Sequence, residues 1–190
     1  MTTFTINCQS IQLTDEQFYQ LSQDNQDLRF ERNAQGDLII MPPTGGNTGN
    51  CNAGLTAQLW IWNEKNKLGK VFDSSTGFTL PNGANRSPDV AWIPLERWNN
   101  LTTEQQNKFL PLCPDFVIEL LSPSDSLSAI RQKMEEYREN GTRLGWLINC
   151  QSRQVEIYRQ NQEVEILDSP MSLSGEDILP GFELNLEPIW

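Results

Sequence analysis

The chain has 190 residues, enough for one domain spanning 1–190 with a substantial core, and its 25 acids against 14 bases give a net charge of −11. It contains no histidine, which excludes Ser-His-Asp and Cys-His catalysis, histidine general bases and histidine-ligated metals. No apolar run of membrane-spanning length occurs, and the opening MTTFTINCQS has no basic, apolar, cleavable pattern, so a soluble cytoplasmic protein without membrane contact is expected.

Read in chain order, Thr14-Asp15-Glu16-Gln17 is a capping box that opens a short helix with Phe18 and Leu21 inside. Leu28–Arg32 and Asp37–Met41 flank Asn33-Ala34-Gln35-Gly36, a hairpin signal. PPTGGNTGN reads as a flexible loop. A helix follows through AGLTAQLWIWNEKNK, with Leu55, Leu59 and Trp62 on one face and Gly69 as its stop. KVFD, GFTL and DVAWI read as strands, and the polar stretch Pro94–Cys113 contains a second capping box at Thr103-Glu104-Gln105-Gln106.

The segment PDFVIELLSPSD is a continuous apolar run of strand length, bounded by Pro114 and by the turn Ser122-Pro123-Ser124-Asp125. Such a run suits a strand covered on both faces, yet Glu119 lies in the middle of it. A helix then runs from a Ser126 cap to Asn140, stopped by Gly141, and LGWLIN, QVEIYR and EVEIL read as strands, two of them alternating and half exposed. The assembly is α/β, a central mixed sheet flanked by helices.

Charge is unevenly placed. Seven acids and no base follow Arg159, while the preceding chain holds the other 18 acids against all 14 bases. The overall field therefore does not favour a polyanion, although a local basic groove would serve one. Cys8, Cys51, Cys113 and Cys150 are far apart without a C-x-x-C pair, which argues for reduced thiols rather than a zinc site or disulfide framework.

Without histidine, hydrolytic chemistry must rest on Asp, Glu, Lys, Tyr and a metal with oxygen ligands, magnesium or manganese. Asp89 opens the strand DVAWI after Pro88, and Glu119 occupies the other apolar strand. If the two strands are neighbours, the carboxylates meet, and a divalent cation is the simplest way to keep both ionised. On the helix after Glu119, Leu127, Ile130, Met134 and Tyr137 form the buried stripe, with Lys133 about 80° from its centre and Arg131 on its other flank. Either cation can reach inward to neutralise a phosphate. Ordinary readings stand beside these: Asp89 as a turn or cap residue, Glu119 as half of a structural salt bridge, Lys133 as a solvated flank lysine.

RSPDVAWIP, PDFVIELLSPSD, KMEEYRENGTRLGWLIN and QVEIYR, with the hairpin RFERNAQGDLIIMPPTG, resemble in order the Uma-two-type restriction endonuclease family of the PD-(D/E)XK nuclease-like superfamily, from about Phe30 to Phe182. The resemblance implies a restriction-endonuclease-like core and a magnesium-dependent phosphodiester site acting on DNA. Asp89 and Glu119 would ligate the metal, with the carbonyl of Leu120 as a further ligand. The pattern's lysine falls at Leu121 here, and the resemblance transfers its role to Lys133. Glu31 matches a family glutamate that can face the same metal, or else is an exposed hairpin acid. Two rival readings remain, a catalytically inactive scaffold of the same fold and a metal-free carboxylate-pair glycosidase. Six tryptophans and eight phenylalanines, with Trp60 and Trp62 on different faces of one helix, point to a homodimer.

Overall fold

The computed structural model describes residues 3–123 and 125–190; Ser124 of the turn after the Glu119 strand lies outside them. In chain order the elements are β1 (Phe4–Ile6), α1 (Asp15–Asp24), β2 (Arg29–Arg32), β3 (Leu38–Met41), α2 (Gly46–Asn66) and β4 (Gly69–Asp73). There follow β5 (Phe78–Thr79), β6 (Asn85–Arg86), β7 (Val90–Pro94), α3 (Leu95–Asn99), α4 (Thr103–Gln106), β8 (Phe116–Leu120) and α5 (Leu127–Glu139). The chain continues through β9 (Leu144–Asn149), β10 (Gln154–Arg159), β11 (Glu165–Asp168), β12 (Ser172–Ser174) and β13 (Glu183–Asn185).

A six-stranded sheet in the order β11-β10-β9-β8-β7-β4 forms the centre, and a five-stranded sheet, β1-β3-β2-β6-β5, lies beside it. The central sheet is mixed: β8 and β9 run parallel and its other pairs antiparallel. A parallel pair cannot be joined by a tight turn, and α5 provides the crossover between them. Side chains alternate across each strand. Val90, Trp92, Phe116, Ile118 and Trp146 therefore pack with α2 in one apolar cluster, while Ala91, Ile93, Val117 and Leu147 pack with Met134 and Tyr137 of α5 in another. Gly145 lets α5 settle onto the sheet. A Cβ there would stand 2.6 Å from the Met134 methyl and 3.3 Å from Val117 Cγ2.

The α2 face is closed by residues 173–189, whose Leu173, Leu179, Phe182, Leu184, Leu186 and Ile189 belong to the same cluster as Leu55 and Leu59. Trp62 Nε1 donates to the Pro180 carbonyl at 3.3 Å, and Cys51 Sγ donates to the Ile189 carbonyl at 3.6 Å.

Some local expectations need correction. The helix expected from Ala53 starts at Gly46, so GNTGN is helical rather than loop, and it ends at Lys67 in the left-handed region, with Gly69 already in β4. Burial of Leu55, Leu59 and Trp62 stabilises the following turns enough to extend the helix through poor formers. The second capping box is on Thr102, whose side chain accepts from the Gln105 amide. β10 is buried from Val155 to Tyr158 rather than half exposed, because α5 covers the face that carries Glu156. Among the described residues, no helix is long and apolar enough to cross a membrane.

Candidate active site

The chain passes from the small sheet to the central one through Ser87-Pro88-Asp89, between β6 and β7. Asp89 sits at this seam. The register that pairs Val90 with Ile118 and Ala91 with Val117 brings Asp89 opposite Glu119, at one end of the central sheet. Cross-strand partners in an antiparallel pair point to the same face. The two strands are therefore neighbours, and both acids line one cleft of about 570 Å³ together with Lys133, Leu120 and Asn52.

Each carboxylate is held differently. Asp89 Oδ1 accepts from Asn52 Nδ2 and Oδ2 from the Leu120 amide, both at 2.8 Å. Glu119 Oε1 takes Lys133 Nζ at 2.7 Å and the Tyr137 hydroxyl at 3.0 Å, which leaves Oε2 without a hydrogen-bond partner among the described residues. Glu31, on β2, is buried rather than an exposed hairpin acid. Its Oε1 meets Lys133 Nζ at 2.7 Å and the Ser87 amide at 3.0 Å, and its Oε2 meets Arg86 Nη1 at 2.9 Å. Arg86 Nε continues to Glu136 Oε2 at 2.6 Å. Lys133 is thus a buried bridge between two carboxylates, its side chain only 10% exposed.

Burial raises the Glu119 carboxyl, Lys133 opposes it, and the charges of Asp89 and Glu31 raise it further, to about 7. Burial also pushes Asp89 up, against the Leu120 amide and the charge of Lys133. Glu31 goes the other way: burial would raise it, but Lys133 and Arg86 hold it below the usual carboxylate range. Lys133 loses solvation yet titrates above an ordinary lysine, because Glu119 and Glu31 favour its charge. The group Glu31, Asp89, Glu119 and Glu136 holds two more acids than Lys133 and Arg86 balance.

The five residues assigned to the site from the sequence, Glu31, Asp89, Glu119, Leu120 and Lys133, all gather at or beside this cleft. Leu121 does not. It packs into the core beneath α5, and its amide bonds the Ile148 carbonyl. Arg131, the other inward candidate, instead grips Glu156 of β10 with three N–H···O contacts of 2.6–3.1 Å. Sequence reading missed Arg86, Asn52 and the polar role of Tyr137. Arg86 lies three residues before Asp89, and Tyr137 one helical turn after Lys133, so spacing offered a signal for both.

The donor set fits a hard divalent cation. Two carboxylates face each other, and among the described residues one oxygen of Glu119 is unengaged and Asn52 Oδ1 is a buried acceptor with no partner. Among the described residues, no group of three or more Asp, Glu or Cys side chains is gathered to cage a metal unaided. A cation held by this pair would therefore keep solvent and substrate oxygens in its shell, as magnesium commonly does.

The mixed central sheet flanked by helices gives the molecule a restriction-endonuclease-like fold. The chain belongs to the Uma2 family, described as "Putative restriction endonuclease", which it matches over residues 15–187. Its fold is shared by a crystal structure described as "a putative nuclease belonging to DUF820" from Anabaena variabilis ATCC 29413. The TM-score is 0.72 at 21% identity, covering 84% of this chain and 88% of that one. No curated protein matches the chain.

Proposed function

We propose that the protein is a magnesium- or manganese-dependent endonuclease that hydrolyses DNA phosphodiester bonds at the Asp89–Glu119 pair. The observation that carries this reading is the juxtaposition of the two carboxylates with Lys133 in a solvent-reaching cleft. Asp89, Glu119 and the Leu120 carbonyl would hold the cation. When bound, a divalent metal supplies Lewis acidity, lowering the pKa of a water and offsetting charge on the scissile phosphate.

The chain's own groups supply the remainder. Asn52 and the Leu120 amide fix the Asp89 carboxylate, and Tyr137 fixes Glu119 through its Oε1. Lys133 stays protonated between Glu31 and Glu119, ready to orient the attacking water or to donate to a phosphoryl oxygen as negative charge develops there. Glu31, itself clamped by Arg86 and the Ser87 amide, serves this purpose best as the group that positions Lys133. We also infer a homodimer, in which α2 presents Trp60 and Ile61, 51% and 54% exposed, while Trp62 packs inward.

Incubation of purified protein with supercoiled, duplex, single-stranded and mixed genomic DNA, in magnesium, manganese or chelator, tests the activity. Metal-dependent cleavage that Asp89→Asn and Glu119→Gln abolish is expected, together with calorimetric binding of manganese that both variants lose. Metal binding without cleavage of any DNA form would instead favour an inactive scaffold. No metal binding at millimolar concentration would overturn the site. Light scattering that returns a monomer mass at micromolar protein would rule out the stable dimer.

A further inference from the structure

Among the described residues, two cations line the cleft that holds Asp89 and Glu119: Lys133 and Arg29. Lys133 is committed to two carboxylates. Arg29 is committed to none. Its Nη2 donates to the Ser74 carbonyl at 2.6 Å and to the Ser74 hydroxyl at 2.7 Å, both neutral acceptors. Pinning the Ser74 loop would need only a neutral donor. A guanidinium that makes no direct ion pair among the described residues, and whose charge is felt by Asp89 across the cleft, has donors to spare for a ligand.

Position reinforces the point. Arg29 precedes Glu31 by two residues on β2, so both project from the same face. One strand repeat, about 7 Å, separates them, so Arg29 lines the cleft while Glu31 reaches Lys133, which lines it too. With Nη2 turned to Ser74, the Nε and Nη1 hydrogens of a planar, always-charged guanidinium remain to donate to phosphate oxygens. In a chain of net charge −11, a nucleic-acid strand must find its attraction locally.

We infer that Arg29, held through Nη2 by Ser74, binds a substrate phosphate flanking the one that reaches Asp89 and Glu119. This rests on the nuclease reading and adds a substrate-positioning residue to it. The test is fluorescence anisotropy of labelled duplex and single-stranded oligonucleotides over a range of salt concentrations. It uses the full chain as it stands and in the Glu119→Gln background, to hold DNA uncut. Arg29→Met, which keeps much of the apolar stem, should weaken binding about tenfold and lower the slope of log affinity against log salt by about one. Arg29→Lys should keep the slope but lose part of the affinity, because a lysine ammonium cannot both hold Ser74 as Nη2 does and donate to the phosphate through separate nitrogens. In steady-state cleavage, Arg29→Met should raise KM more than it lowers kcat.

An Arg29→Met protein with unaltered melting temperature, affinity and salt slope would overturn the assignment. If that variant does not fold, undiminished affinity in Arg29→Lys would overturn it. These outcomes leave the nuclease reading standing when the parent chain binds or cleaves DNA. A parent chain that does neither overturns both.

Discussion

Helix α5 carries two inward-reaching cations, and each meets a buried glutamate that also accepts a hydrogen bond from a tyrosine. Arg131 meets Glu156, to which the Tyr158 hydroxyl donates at 2.7 Å; Lys133 meets Glu119, to which Tyr137 donates at 3.0 Å. The difference lies in balance and access. Arg131 is 45% exposed and closes a one-to-one pair whose glutamate oxygens are both filled. Lys133 is buried and divided between Glu119 and Glu31, with Asp89 opposite and one Glu119 oxygen unengaged. A balanced pair is a bolt between helix and sheet. The acid-rich cluster, with one Glu119 oxygen unengaged among the described residues, is the seat proposed above for a cation.

The largest expected effect separates the two cations. Lys133→Ala should lower the cleavage rate by about 10²–10³, the usual loss for one donor to a developing charge. Arg131→Ala should leave the cleavage rate at the parent level while lowering the melting temperature, since it strands Glu156. Single-turnover kinetics beside calorimetric melting would check both. Equal loss of cleavage in the two variants would collapse the distinction.

A second contrast concerns the glutamates. Glu156→Gln should cost about 1–3 kcal/mol, because it breaks a filled hydrogen-bond network. Glu119→Gln should leave the metal-free protein as stable as before or more so, by relieving repulsion from Asp89 and Glu31. Adding manganese should raise the melting temperature of the parent and of Glu156→Gln but not of Glu119→Gln. Denaturant titrations with and without metal decide this.

The pH dependence has a definite sign. Glu119 titrates near 7 in the folded chain against an ordinary value of 4.5, so between those values the folded state holds a proton that the unfolded state has released. Stability contributed by that proton is complete below about pH 4.5 and is lost as pH rises through about 7. The raised Asp89 acts in the same direction. Metal-free unfolding measured across this range should therefore slope downward. Glu119→Gln should flatten the slope.

The smallest effect tests how closely α5 must lie on the sheet. Gly145→Ala places a methyl group against Met134 and Val117 and should cost about 1 kcal/mol, because the end of a methionine yields readily. Shortening Met134 in the same chain should recover part of that loss. Cleavage should fall slightly further than stability, as Lys133 moves with its helix.

Local pattern made much of this site readable from sequence. The apolar run around Glu119, the proline before Asp89 and the three-four-three stripe that sets Lys133 at a helix edge are all short-range features. What remained hidden depends on pairing across the fold. Nothing near Arg86 in the chain announces Glu31, 55 residues away, and nothing near Arg131 announces Glu156. Asn52 was obscured differently. Glycines at 45, 46 and 49 read as loop, and only packing of the later turns makes that stretch helical.

Closure of the α2 face by residues 173–189 has a kinetic corollary. The contact between Cys51 and Ile189 spans 138 positions, so this half of the core cannot seal until nearly all the intervening chain is available. Loop-closure entropy must be met before those contacts reward it, which slows the final step. During synthesis α2 would stand with Leu55 and Leu59 uncovered, a window in which a chaperone could hold the nascent chain. Ribosome-bound chains halted just short of Phe182 should be protease-sensitive around α2, and chains extended beyond Trp190 should be resistant.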